Sequence, residues 1–568
     1  MKTCLAFSFL FVLVFFPRDG RAQWVADGLG ICVQPSGQAG AVIVPDGSGG
    51  AIIAWSDNRS GSGDIYAQRV SASGVAQWIE NGVPLCTAAN EQSMPVIVAD
   101  GAGGAVVAWP DTRAGSSDIF AQRIDASGAP QWTADGVSLC AAANTQRSPA
   151  IDTDGAGGAI VTWTDHRSGT NDDVYVQRVD EAGVLQWTPD GVALCTALKD
   201  QWPNGVVSDG AGGAIVVWEH TVVLGNWDVY ARAINASGVP QWTANGVAIC
   251  TSPNEQTSPM IASDGAAGAI ITWYDRRSPA NGYDIYAQRI NASGAVSWTA
   301  NGVALCTDPN DQFSPVIVPD GAGGAIATWM DYRTPATPET GSTTDIYAQR
   351  ISASGLLQWT ANGVSVCSAP ENQAYPSISQ DGVGGALVAW HDWRGGTTTD
   401  VYAQRISSAG IMSWTADGIA VSTSADNQAS ARIVSDGEGG AFVAWNDQRS
   451  GNYDIYAQRV GSNGAIPSGV RDTPSASAVA LSPNYPNPFS SETAIDLDVR
   501  HDAAVEIEVF DVAGRRVRQI DAGRPGRGLT HLNFDGLDDG GRPLSSGVYF
   551  YRVKAAGQTF TRKMVIAR

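Results

Sequence analysis

The stretch "GGAIIAWSDNRSGSGDIYAQRV", residues 49–70, holds Asp57 and Asp64, Arg59 and Arg69, Trp55 and Tyr66. Two apolar runs of strand length, "AIIAW" and "DIYAQRV", flank a polar, Gly-containing loop. Such a pattern reads as a β-hairpin. So dense a set of charged and aromatic groups is either an active-site motif or a building block. Recurrence decides between them.

The block returns eight times. A "DGxGG" turn begins at Asp46, Asp100, Asp154, Asp209, Asp264 (as "DGAAG"), Asp320, Asp381 and Asp436. Each is followed by a Trp, at 55, 109, 163, 218, 273, 329, 390 and 445, and then by Asp-[Ile/Val]-[Tyr/Phe]. A second Trp, first at 24 and last at 414, opens a further segment of each unit. Self-similarity at this period signals a repeat architecture. Each unit reads as four strands: "AVIVPD", "GAIIAW", "DIYAQRV" and "AQWIENGVPLC" in the first. Gly supplies the positive φ that the tight joints need. The "TAANEQSM" joint is longer and reads as the crossing to the next unit. Four strands repeated radially predict an all-β chain with an eight-bladed β-propeller.

The ends of the array bear on closure. A "QW…C" strand stands first, at Gln23–Cys32, without partners, and the last unit stops at "DIYAQRV" (454–460) without one. The N-terminal strand, residues 23–33, is thus expected to complete blade eight. A linear solenoid would need capping ends and no such permuted cut. The pattern over 23–460, an apolar inner strand ending in Asp, a Gly turn and a second strand, resembles NHL-type and related bacterial propellers.

Counting across the hairpin places Asp57 roughly opposite Asp64, where like charges repel. Arg59, on the same loop, is expected to neutralise both. In unit four His220 replaces the first Asp and Val222 the Arg together. Asp57, Arg59 and Asp64 therefore read as a structural loop staple, on a mostly solvated loop. Near-identical copies do not mark a catalytic centre. The Gly turns lie between strands and lack the "GK[ST]" of a phosphate loop, and the alternating acids of a calcium loop are missing. They also depart from the sialidase Asp-box. No CxxC occurs, the scattered His residues lack metal spacing, and neither a metal nor another cofactor is expected.

A single site belongs where the units differ. Unit four has "WEHTVVLGNWD", unit six the long "MDYRTPATPETGSTTD" and unit seven "WHDWRGG". All three connect second to third strands and so share one face. His220, Trp227, Tyr332, His391 and Trp393 are the candidate ligand-binding residues, for a glycan or a protein. The alternative is a secreted carbohydrate-active enzyme, sialidase- or glycosidase-like, on the same fold.

Lys2 followed by "LAFSFLFVLVFF" and a small-residue site ending at Ala22 reads as a signal peptide, residues 1–22. The apolar run is too short to span a bilayer, and no later segment is long enough. Formal charge is −21, while residues 473–568 carry 12 basic and 11 acidic groups, so the acid excess lies in the repeats. A body that acidic repels phosphate backbones and argues against nucleic acid as a partner.

The propeller is expected over 23–467 and "SGVRDTPSASAVA", 468–480, as a linker. Alternating strands then predict a small β-sandwich over 481–568. "NYPNPF" (484–489), "FDVAGRRV" (510–517), "SGVYFYRV" (546–553) and "TRKMVI" (561–566) resemble the type A sorting domain of the type IX secretion system, with its FlgD-like immunoglobulin fold. The resemblance implies the secretion machinery as partner and a secreted or outer-surface location. In that family the domain addresses cargo and does no chemistry.

Cys32, Cys86, Cys140, Cys195, Cys250, Cys306 and Cys367 each lie eight residues after a Trp, and the eighth copy has Ser422. Equivalent positions on neighbouring blades lie beyond the ~7 Å Cα limit for a disulfide. Alkylation of the denatured, unreduced mature protein should therefore label all seven thiols by mass spectrometry. One native disulfide between repeats would refute the spacing argument.

Overall fold

The computed structural model describes residues 24–223, 225–334 and 343–466, and most of 479–567. The expected signal peptide, most of the linker, Leu224 and part of the long loop of unit six lie outside the described residues. Every regular element among the described residues is a β-strand. The chain divides into two compact units, 1–469 and 470–568.

In the first unit, β1 is Leu29–Cys32, β2 Gln38–Pro45, β3 Ala51–Asp57, β4 Asp64–Val70 and β5 Val83–Cys86. Strands β2 to β5 form one antiparallel sheet in chain order. Seven further four-stranded sheets repeat it, making eight blades, numbered I to VIII from β2. The first strands of successive blades touch around a closed circle, with β2 against Gln428–Ser435. They line the central channel. β3 reads as an apolar run without alternation because both its faces are covered by neighbouring blades: Ile52 and Ala54 pack toward blade II, Ile53 and Trp55 toward blade VIII.

Blade VIII is composite. β1 pairs antiparallel with Asp454–Val460, Leu29 opposite Ala457 and Cys32 opposite Ile455. Gln458 Nε2 donates to Val25 O at 2.6 Å, and Trp24 packs on Phe442 with centroids 5.9 Å apart. Glycine and tryptophan interlock at each blade. Gly82 has φ +89°, and a Cβ there would lie 2.5 Å from the Trp55 ring. Only glycine permits both the backbone and the approach.

One irregularity matters for function. Outside blade IV the first strands bulge after their second residue, as the register shift between Ala39 and Val42 shows; blade IV shifts between Pro203 and Gly205. The bulge puts a left-handed residue at the channel rim: Gly40, Met94, Ser148, Ser258, Ser314, Tyr375 and Ser430.

The second unit has two antiparallel sheets. One orders Val479–Leu481, Thr493–Val499 and Gly528–Phe534; the other orders Arg516–Asp521, Val505–Asp511, Gly547–Ala555 and Gln558–Ile566. Ile495 and Phe534 of the first meet Ile507, Val509, Tyr551 and Met564 of the second in one buried core. This is a small β-sandwich.

Removing residues 23–33 would unpair the edge at Asp454–Val460 and strip the core of Trp24 and Ile31. The shortened protein should melt lower and aggregate. Unchanged melting and solubility would contradict the role given to β1.

Candidate functional site

The loop that repeats in nearly every blade is a clamp between blades. Arg59 Nε and Nη2 donate to Asp57 Oδ1 and Oδ2 at 2.9 and 2.5 Å. Nη2 also reaches Asn81 O at 2.8 Å and Cys32 Sγ at 3.1 Å, and the guanidinium lies 3.9 Å from the Tyr66 ring centroid. Cys32 belongs to blade VIII, so one arginine joins two blades. Asn81, left-handed at φ 61°, also accepts from Val33 N through its side chain. Asn and Asp tolerate that backbone. Arg113, Arg167, Arg277, Arg333 and Arg394 repeat the bonds. Arg449 reaches Asp27 O at 2.6 Å, with Ser422 Oγ in the cysteine's place. Cys32 and its six counterparts in the repeats are unpaired and buried. Burial pushes the Cys86 thiol up to about 12, so these sulfurs stay protonated and inert.

The expectation that Arg59 neutralises both carboxylates on a solvated loop is corrected. Asp57 does lie opposite Asp64, but no bond or ion pair from Arg59 reaches Asp64. The Asp57 side chain is 0% exposed and that of Arg59 only 23%. Burial would raise the Asp57 carboxyl, yet the bonds from Arg59, Trp55 and the Arg59 amide hold it below its usual range. Asp64 has a buried, unpartnered Oδ2, and burial together with the Asp57 charge raises its carboxyl. Asp118, Asp173, Asp284 and Asp400 rise to about 6, for burial first. The raised second carboxyl is the mark of burial and of a repulsion that the arginine does not remove.

The five candidates part company in space. His220 sits opposite Asp228 in the clamp position of blade IV, its ring 5.4 Å from that of Tyr230. Burial lowers its pKa. Trp227 packs on Trp202, whose Nε1 donates to Asp172 Oδ2 at 2.8 Å. Neither contacts the second group, which gathers around Tyr375.

Tyr375 is the rim residue of blade VII. Tyr375 is 59% exposed, and its φ of +54° is a strained backbone for a bulky side chain. His391 lies 5.4 Å behind it, and Trp393 6.4 Å beyond His391. His391 is itself buried; its Nε2 accepts from Ala431 N at 3.3 Å, and burial, with Arg432 nearby, lowers its pKa to about 4. A neutral imidazole thus braces blade VIII, as Glu219 braces Ser258 N and Ser56 braces Met94 N. Tyr332 stacks edge-on against Phe313, ring centroids 5.9 Å apart, and burial raises its pKa.

In front of these groups lies a cavity of about 240 Å³. Blade V contributes Ser258 and Met260, blade VI Ser314 to Val316, blade VII Tyr375 and Pro376, and blade VIII Arg432. Tyr375 and Arg432 were not among the sequence candidates. Their signal was departure from the repeat. Tyr375 stands where other blades carry Ser, Gly, Met or Pro203, and Arg432 where they carry Val42, Val96, Ala150, Gly205, Met260, Val316 or Ser377.

Two stability tests follow from the clamp. Arg59→Ala should cost about 2 kcal/mol in urea unfolding, because it strands a buried carboxylate while the arginine keeps one edge in solvent. Val222→Ala, in the unclamped blade, should stay within about 0.5 kcal/mol; equal losses would refute the clamp. The raised second carboxyls keep protons that the unfolded chain, near 3.9, has released. Stability should therefore fall as pH rises from about 4 to about 6. Asp118→Asn should flatten that slope, whereas loss of the Asp57 contribution belongs below pH ~4.

Comparison with known proteins adds the destination. Residues 484–567 match the family model for the secretion system C-terminal sorting domain. A search of curated proteins finds no match to the chain. Among solved structures, PorZ of Porphyromonas gingivalis, a surface component of the type IX secretion system, is 12% identical, covering 93% of this chain and 75% of its own at a TM-score of 0.26. A Penicillium chrysogenum α-L-arabinanase is 11% identical, covering 56% and 94% at 0.33. A Dyadobacter fermentans protein of unknown function is 12% identical, covering 57% and 97% at 0.31. Matches of this strength say nothing about a ligand. The tail is a type IX sorting domain, and the chain is a secreted or outer-surface bacterial propeller protein.

Proposed function

We propose that the propeller is an exported glycan-binding module whose ligand rests on blades V to VIII at the channel mouth. One observation carries this reading: the exposed Tyr375 ring, held outward by a strained bulge beside Pro376 and Pro315, over a floor bearing the Ser258 and Ser314 hydroxyls. A flat apolar face with hydroxyl partners suits a sugar ring, and a concave site with few polar groups suits a small ligand. The sorting tail delivers the protein to the place where polysaccharides are met. His391 and Trp393 act by holding Tyr375, while Tyr332 packs on Phe313; His220 and Trp227 are left to structural duty in blade IV. Secretion machinery is the partner of residues 481–568.

The second reading is a carbohydrate-active enzyme on the same fold. Glycoside hydrolysis by the common route needs two carboxyl groups flanking the bond. The mouth cavity is lined without one, which supports binding over turnover.

A glycan array on the mature full-length protein, beside a panel of hydrolase substrates, tests both. Binding without turnover is expected. Tyr375→Ala should weaken the best array hit about tenfold with an unchanged melting temperature. Turnover of any panel member, or full binding by the variant, would overturn the reading.

A further inference from the structure

Arg432 is the unusual member of the channel mouth. Around the ring its register position faces the residue before the second-strand Trp, and the other blades fill it with Val, Ala, Gly, Met or Ser. The Arg432 guanidinium makes no hydrogen bond and no ion pair among the described residues. This contrasts with the clamp arginines and with Arg69, which each hold an aspartate. It also contrasts with the chain as a whole, where 56 acidic residues outnumber 35 basic ones. A cation with that many carboxylates in the molecule, and none beside it, is kept open.

Arg432 is solvent-exposed where it lines the mouth cavity, and partial desolvation by the surrounding blades pulls its pKa down. Its titratable neighbour His391 is neutral and offers no counter-charge. A guanidinium in such surroundings gains most from a planar, bidentate anion. The rest of the lining is uncharged: two serine hydroxyls, two proline rings, Met260, Val316 and the Tyr375 face. The cavity, at about 240 Å³, is smaller than the ~300–1,000 Å³ usual for drug-sized ligands. It takes one sugar residue more readily than a run of peptide.

We infer that the mouth selects a carboxylate-bearing saccharide, a uronic-acid unit, with its ring on Tyr375, its hydroxyls toward Ser258 and Ser314, and its carboxylate on Arg432. This rests on the glycan-binding reading above and narrows it to an acidic sugar. Arg432 sets specificity, and Tyr375 supplies contact common to acidic and neutral sugars.

The test uses the mature full-length protein and isothermal titration with three probes: trigalacturonate, its neutral counterpart galactotriose, and a short acidic peptide. Trigalacturonate should bind about ten- to a hundredfold tighter than galactotriose, the difference a charge-assisted bond makes. Arg432→Gln should erase that difference with an unchanged melting temperature. Arg432→Lys should retain part of it. Equal affinity for the two sugars, or an undiminished preference in Arg432→Gln, would overturn the assignment of Arg432 and leave glycan binding standing. Preference for the acidic peptide would overturn the saccharide class. Binding of neither sugar would contradict the glycan reading together with this inference.

Discussion

An arginine that bonds an aspartate on its own blade and a sulfur and a carbonyl on either side of the blade junction holds this ring together. Arg59 binds both Asp57 oxygens, Cys32 Sγ and Asn81 O. A blade's sheet is complete in itself; what makes a propeller is the junction, and here each junction but one is locked by the same aspartate, arginine and carbonyl, with a cysteine or, at the last, Ser422 as the fourth group. The buried carboxylate needs the arginine, and the arginine needs the cysteine and the carbonyl to use its remaining donors. The last copy, Arg449 on Asp27 O, joins residues far apart in the chain and so seals the ring with the bond used inside it.

A rigid frame of that kind frees the rim to vary. The first-strand bulge fixes where a rim side chain points, and the residue at the bulge then decides what the channel mouth presents. Four of the eight blades present a serine there: Ser148, Ser258, Ser314 and Ser430. Blade VII presents Tyr375, supported from behind by His391 and Trp393, and blade VIII adds Arg432 two positions after its own rim serine. The brace from His391 to the next blade gives this histidine, a ligand-binding candidate in the sequence, a supporting position behind Tyr375. Burial beside Arg432 keeps it neutral, and its accessible nitrogen is already used by a backbone amide.

The architecture was legible because it is repeated: eight Gly turns, each followed by Trp and then Asp-[Ile/Val]-[Tyr/Phe], leave little freedom in the strand count. The sandwich and its sorting role were legible from "NYPNPF" and "TRKMVI". The partners of Arg59 were not. Hairpin counting showed Asp64 across from Asp57, but Cys32 lies on another blade, and sequence distance hides that contact. Of the candidate residues, Tyr332, His391 and Trp393 gather near Tyr375, while His220 fills a clamp slot and Trp227 packs on Trp202. Loop differences drew attention to them, whereas Tyr375 and Arg432 differ from their copies inside a strand. Which strand residues face a channel depends on the bulge, and the bulge is a backbone feature that residue patterns alone do not display.

Hydrogen–deuterium exchange of the mature protein, with and without an oligouronate, tests the central claim most directly. The account predicts new protection in the rim segments around Ser258, Ser314, Tyr375 and Arg432, and none in the equivalent segments of blades I to III. Protection spread evenly over all eight rims, or centred on His220 and Trp227 in blade IV, would contradict it.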